Sequence, residues 1–190
     1  MLGLVKGTVE LYEHEKEWED NAKIIIENLK EIFGSAAVDI QHVGSTAIVH
    51  IKAKPIIDIS VGVKDFDKVR KLLPYLETQG LIHRPNNDLP DYMMFVMGNM
   101  EKEIRTHHIH VMQYNGEEWH NQINFRDYLN TNSEIAKEYE ALKLRLMEEN
   151  RFNRSAYTSG KQDFIMDTFR KAATWASCQQ IQANNDYTKC

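Results

Sequence analysis

Three short stretches of this 190-residue chain carry residue types that can do chemistry. In the first, Gly44-Ser45-Thr46, glycine lets the backbone approach a ligand closely. If a helical turn follows, its first N–H groups can hold a phosphate. Alone, such a pair is most often a plain turn. The second is Asp58, in Lys54-Pro55-Ile56-Ile57-Asp58-Ile59-Ser60. A lone carboxylate in an apolar strand is costly to bury unless it is paired, hydrogen-bonded or metal-bound; near a strand end it can also cap backbone. The third is His107-His108-Ile109-His110-Val111. Residues two apart on a strand share a face, so His108 and His110 project together while His107, Ile109 and Val111 take the other side. Two imidazoles so placed can chelate a divalent ion, donate to phosphate or carry protons, although a chain with eight histidines will also pair two by chance.

The flanking patterns say what positions these groups. Thr8–Tyr12 alternates like a first strand. Residues 15–33 carry Trp18, Ala22, Ile25, Leu29 and Ile32 at helical spacing, ended by Gly34-Ser35. Ala37–Val43 reads as a strand entering the Gly44 turn, and Ile56–Val63 as a strand buried on both faces. Asp65 is placed to cap a helix facing inward through Phe66, Val69, Leu72, Leu73 and Leu76, with Pro74 expected to kink or divide it. Arg84–Pro90 is turn-rich. Tyr92–Met97 and Ile104–Met112 read as strands joined through Gly98 and Asn99. Helices follow at about 117–130, 134–149 (capped by Ser133) and 155–175, leaving 176–190 as a polar tail. The expected architecture is one α/β (α+β) domain over residues 1–175, a mixed sheet whose last part, 116–175, is a helical layer.

Composition narrows the function classes. With 42% hydrophobic and 27% charged residues the chain is globular. A net charge of −5 disfavours general nucleic-acid binding but leaves room for a small anionic ligand. No apolar run reaches the ~20 residues of a membrane helix, and Met1–Tyr12 lacks signal-peptide features. The two cysteines, Cys178 and Cys190, have no metal spacing, so a reducing cytoplasm is the expected location. Asn153-Arg154-Ser155 matches a glycosylation sequon but is read as noise without a secretion signal. Trp18, Trp119, Phe125, Tyr139 and Phe164 read as core; Glu13, Glu15, Glu17 and Glu19 read as a solvated face. Lys143 and Lys161 are compatible with snorkelling surface lysines.

Taken together, the motifs are more specific than their parts. His42-Val43-Gly44-Ser45-Thr46-Ala47 with Ala53-Lys54-Pro55-Ile56-Ile57-Asp58-Ile59, then His108-Ile109-His110-Val111, resembles the signature of the GrpB family. Phe125-Arg126-Asp127-Tyr128-Leu129, Tyr139, Leu142-Lys143, Tyr157 and Lys161 resemble its helical half, so the likeness spans roughly residues 8–173. That family is similar to the nucleotidyltransferase superfamily, where a Gly-Ser turn precedes a strand bearing two metal-binding carboxylates. The resemblance implies a nucleotidyltransferase-like fold acting on a nucleotide or phosphorylated small molecule. Asp58, His108 and His110 would be catalytic and hold a divalent metal (Mg, Mn or Zn). Gly44, Ser45, Thr46, His42, Lys54, Arg126, Lys143, Tyr157 and Lys161 would bind phosphate or ligand. A phosphohydrolase and a non-catalytic nucleotide-binding module are the alternatives. Two departures stand out: Ser60 replaces the second carboxylate, and Ile48-Val49-His50-Ile51 replaces Val-Pro-Gly-Leu, which places the His50 imidazole near the site.

Overall fold

The computed structural model describes residues 1–187. Its elements run β1 (Leu4–Val5), α1 (Lys16–Phe33), β2 (Ala37–Val43), β3 (Ile57–Val63), α2 (Phe66–Thr78), β4 (Ile82–His83), β5 (Tyr92–Asn99), β6 (Ile104–Gln113), α3 (Glu117–Thr131), α4 (Ser133–Glu149), α5 (Arg154–Ser159) and α6 (Gln162–Tyr187). Five strands form a sheet in the order β2-β3-β6-β5-β4, with β1 added beside the start of β6. β3 and β6 pair in parallel, and the other pairs are antiparallel. The fold is therefore the expected mixed α/β arrangement.

Side-chain alternation splits the central strands between two environments. Ile57, Ile59, Val61 and Val63 of β3, with Ile109 and Val111 of β6, face α1 and α2 and join Ala22, Leu29, Phe33, Val69 and Leu76 in the main core. The opposite residues face the C-terminal helices; Gly62 abuts Trp119 of α3, where a Cβ would come within 2.9 Å of the ring. A second cluster ties Ile48 and Ile51 to Phe125, Leu129 and Tyr139. Ile48-Val49-His50-Ile51 thus anchors the Gly44 loop to α3 and α4.

The local expectations fail in specific places. Thr8–Tyr12 is not a sheet strand: Val9 N donates to Arg151 O, and Tyr12 exchanges a bonded pair with Ala53, while Leu4–Val5 joins the sheet instead. Pro74 sits inside an undivided α2; it is exposed, so only one outward hydrogen bond is lost while Val69 and Leu76 hold the inner face. β5 continues through Gly98 and Asn99 by a register shift, and the turn falls at residues 100–103. Asn132, not Ser133, occupies the cap position of α4. The expected 155–175 helix breaks near Gly160 into α5 and α6, with Asn153 Oδ1 accepting from Ala156 N at the start of α5. α6 runs to Tyr187, so residues 176–187 are helical, not an irregular tail. Cys178 is exposed; Cys190 lies outside the described residues. Among the described residues no helix is long and apolar enough to cross a membrane.

Candidate functional site

The parallel register of β3 and β6 sets Asp58 beside His108 and Ser60 beside His110, so the carboxylate and both imidazoles rise from one face of the sheet. Asp58 Oδ1 lies 3.0 Å from His108 Nδ1 and 3.3 Å from His110 Nε2. The network extends outward at both ends. Arg154 Nη2 lies 3.2 Å from His108 Nε2, and the Tyr92 hydroxyl 2.6 Å from His110 Nδ1. Arg154 can only donate, so His108 Nε2 accepts from it and the His108 ring proton sits on Nδ1, facing Asp58. Burial alone would push the Asp58 carboxyl up, but hydrogen bonds from His108 and His110 outweigh it and hold the group well below the usual carboxylate range. Burial moves His108 down despite the pull of Asp58. The centre is a carboxylate held between two imidazole rings.

Above it, Gly44 takes φ 71° and ψ −169°, a region open essentially to glycine. Its missing side chain also matters sterically, because a Cβ there would overlap Asp58 Oδ2 and lie 2.9 Å from the Asp58 Cβ. Ser45–Ala47 then form a single 3₁₀ turn. His42, Thr46 and Arg126 do not line the cleft. The pairing of His42 with Ile59 turns its ring to the core side, where Nε2 meets Thr46 Oγ1 at 2.9 Å and burial pushes its pKa down to about 4. Arg126 Nη1 donates to His42 O and Gln41 Oε1. These three groups brace the turn from behind. His50 is exposed with φ 68° and plays no part in the cleft wall.

The cleft, of about 360 Å³, lies between the sheet and the C-terminal helices. Gly44, Ser45, Asp58, His108 and His110 form its floor, and four cations, Lys54, Lys143, Arg154 and Lys161, its walls. Lys54 and Lys161 each place Nζ 4.8 Å from the centre of the Tyr157 ring. Lys143 is buried, its ammonium bonded to Lys52 O and 4.7 Å from the Tyr139 ring, so it is no surface lysine. Lys161 sits in the link between α5 and α6. Burial, reinforced by neighbouring cations, pushes Lys54 and Lys143 down to about 7, and burial moves Lys161 down as well. Mutual repulsion of these cations adds to the effect of burial.

The donor set fits a divalent ion. Ligand atoms on one tetrahedral or octahedral ion with bonds of about 2.1 Å stand about 3.0–3.4 Å apart, which is the separation of Asp58 Oδ1 from both ring nitrogens. One ligand atom from each of Asp58, His108 and His110 lies within 4.8 Å of the other two. Two imidazoles and one carboxylate favour Mn, Fe or Zn over Mg. Ser60, buried with an unpartnered Oγ, adds no charge.

Arg154 and Tyr92 are the important residues that sequence reasoning missed. Arg154 was visible only inside Asn153-Arg154-Ser155, one helical turn before Tyr157. Tyr92 reaches His110 only through the β5–β6 register, which no short motif encodes.

Fold and site together define a mixed α/β domain with a centre of two histidines and one carboxylate. The chain belongs to the GrpB family, whose family model matches residues 8–171. It is 39% identical over 170 residues to the glutamate-rich protein GrpB of Alkalihalophilus pseudofirmus, covering 87% of this chain and 96% of that protein. The crystal structure of the conserved protein GrpB from Enterococcus faecalis superposes with a TM-score of 0.81 at 28% identity, over 88% of this chain and 99% of that one. The structure of Cid1 in complex with its short product ApU superposes with a TM-score of 0.51 at 10% identity. It covers 73% of this chain and 43% of that one, a likeness of fold.

Proposed function

We propose that the cleft performs metal-assisted displacement at phosphorus on a nucleotide or other phosphorylated small molecule. The observation that carries this reading is the convergence of Asp58, His108 and His110 under the Gly44 turn, inside a cleft walled by Lys54, Lys143, Arg154 and Lys161. Each part has a task in such chemistry. The backbone at Gly44-Ser45 lets a phosphate approach closely, and the lysines offset its charge. A divalent ion at the centre would polarise a phosphoryl oxygen or lower the pKa of bound water.

For His108 Nδ1 to serve as a ligand, its proton must move to Nε2, which now accepts from Arg154. Two donors would then face each other, so Arg154 would be displaced and its guanidinium would become available to a phosphate. A non-catalytic binding module on the same fold is favoured by one observation: neutral Ser60 stands where a second carboxylate would complete a two-metal clamp.

One experiment separates these readings. Melting is followed with Mn, Zn and Mg, each with and without ATP, while ³¹P NMR follows turnover. Ligand at one hundred times its dissociation constant raises stability by ~2.7 kcal/mol. Metal-dependent stabilisation with release of a new phosphorus species supports the enzyme, and stabilisation without turnover supports the module. No response to any cation, unchanged by Asp58→Ala, removes the metal proposal.

A further inference from the structure

The two imidazoles of the centre are held from outside by partners of different chemistry. The Tyr92 hydroxyl, 2.6 Å from His110 Nδ1, can donate or accept, whereas the Arg154 guanidinium, 3.2 Å from His108 Nε2, can only donate. Their supports differ too. Tyr92 sits on β5, paired along its length with β6, so its hydroxyl is fixed beside the ring. Arg154 opens the short α5, behind the turn at residues 150–153. Among the described residues its side chain bonds to His108 and to no carboxylate, although it stands in the cleft wall with Lys54, Lys143 and Lys161.

A cation on the centre would take His108 through Nδ1 and His110 through Nε2, the nitrogens 3.0 and 3.3 Å from Asp58 Oδ1. Each ring must then carry its proton on the outer nitrogen. On the His110 side the Tyr92 oxygen accepts from that N–H by turning its own hydrogen away, so the contact survives. On the His108 side the outer N–H meets a donor of full positive charge, so the contact is lost.

We infer that the two partners act on the cation in opposite senses. Tyr92 is a positioning residue that keeps His110 directed at it, and Arg154 is a latch that withholds His108 until an anion in the cleft draws the guanidinium away. The guanidinium suits that exchange, because its planar fork meets a phosphate through two parallel bonds against one to an imidazole. Cation and anion then bind cooperatively through one side chain, and the coupling is reciprocal: each tightens the other by the same factor. The inference rests on the metal reading of the centre and adds to it a regulation by Arg154.

The test titrates Mn²⁺ into the whole protein and reads free Mn²⁺ by electron paramagnetic resonance, in sodium sulfate or in sodium chloride at matched ionic strength. Sulfate serves as a phosphate-shaped dianion that coordinates Mn²⁺ only weakly. Tyr92→Phe should weaken Mn²⁺ about tenfold. Arg154→Gln, whose amide can turn its oxygen to the His108 N–H, should tighten it about tenfold. Arg154→Lys, still a pure donor, should leave the affinity near that of the unaltered protein. Sulfate should tighten Mn²⁺ about fivefold in the unaltered protein and not in Arg154→Gln. A measurement on the unaltered chain does not depend on how the variants fold: ¹⁵N NMR should show Zn²⁺ moving the His108 ring proton from Nδ1 to Nε2. Absence of Mn²⁺ binding to the unaltered protein removes the metal reading and this inference with it. With Mn²⁺ bound, three results would overturn this inference alone: Tyr92→Phe and Arg154→Gln shifting the affinity in the same direction or not at all, sulfate acting equally on both proteins, or zinc-loaded His108 keeping its Nδ1 proton.

Discussion

The two faces of the sheet use the same strands for opposite ends. On the α1–α2 side, Ile59, Val61, Ile109, Val111 and Phe95 are wholly buried in apolar company. One residue along each strand, on the α3–α6 side, Asp58, His108 and His110 form a hydrogen-bonded polar centre under repelling cations. Close packing stabilises the first face; the second gathers one carboxylate, two imidazoles and four crowded cations. Stability and function are therefore separable by residue parity, and substitutions can test that division.

The largest expected effect is on the dry face. Phe95→Ala should cost about 3–5 kcal/mol in denaturant unfolding while the remaining folded protein keeps its metal and ATP response; a selective loss of that response would break the division. Next, Asp58→Asn should lower the melt, because the carboxylate that accepts from both rings is lost, and should weaken metal-dependent ATP binding on the order of 100-fold, read by calorimetry. Gly44→Ala belongs to both sides. A φ of 71° and the clash with Asp58 should destabilise by about 1–3 kcal/mol and also impair ligand binding, whereas Gly80→Ala, with open space at its Cβ, should affect stability alone.

The smallest effect is a pH signature of Lys143. Its pKa falls from 10.5 in the unfolded chain to about 7 in the fold. Between these values only the unfolded state holds the proton, so stability rises with pH across that window and is lost as pH falls to about 7. Lys143→Met should therefore gain on the order of 1 kcal/mol at pH 6, flatten the slope above pH 7, and weaken ATP binding. A variant less stable at pH 6 and equally able to bind ATP would contradict the cation's role.

Much of this was legible in the residues. β2, β3, α1 and α4 follow from apolar periodicity, and the face shared by His108 and His110 follows from strand alternation. Their meeting with Asp58 did not follow from parity; it needed the parallel register of β3 on β6, a long-range pairing. The same limit hid Tyr92 and Arg154 and turned His42 and Arg126 from expected ligand contacts into braces of the turn. Thr8–Tyr12 misled because alternation reports burial of one face, and there the covering partners are Leu146 and Tyr157, not a sheet.

The central claim is that Asp58, His108 and His110 share one cation. Crystals equilibrated with Mn²⁺ and measured at the manganese absorption edge test it most directly. The account predicts one strong anomalous peak about 2.1–2.3 Å from Asp58 Oδ1, His108 Nδ1 and His110 Nε2, with Arg154 withdrawn from His108. A fully loaded crystal showing no peak there, with Arg154 still bonded to His108, would contradict it.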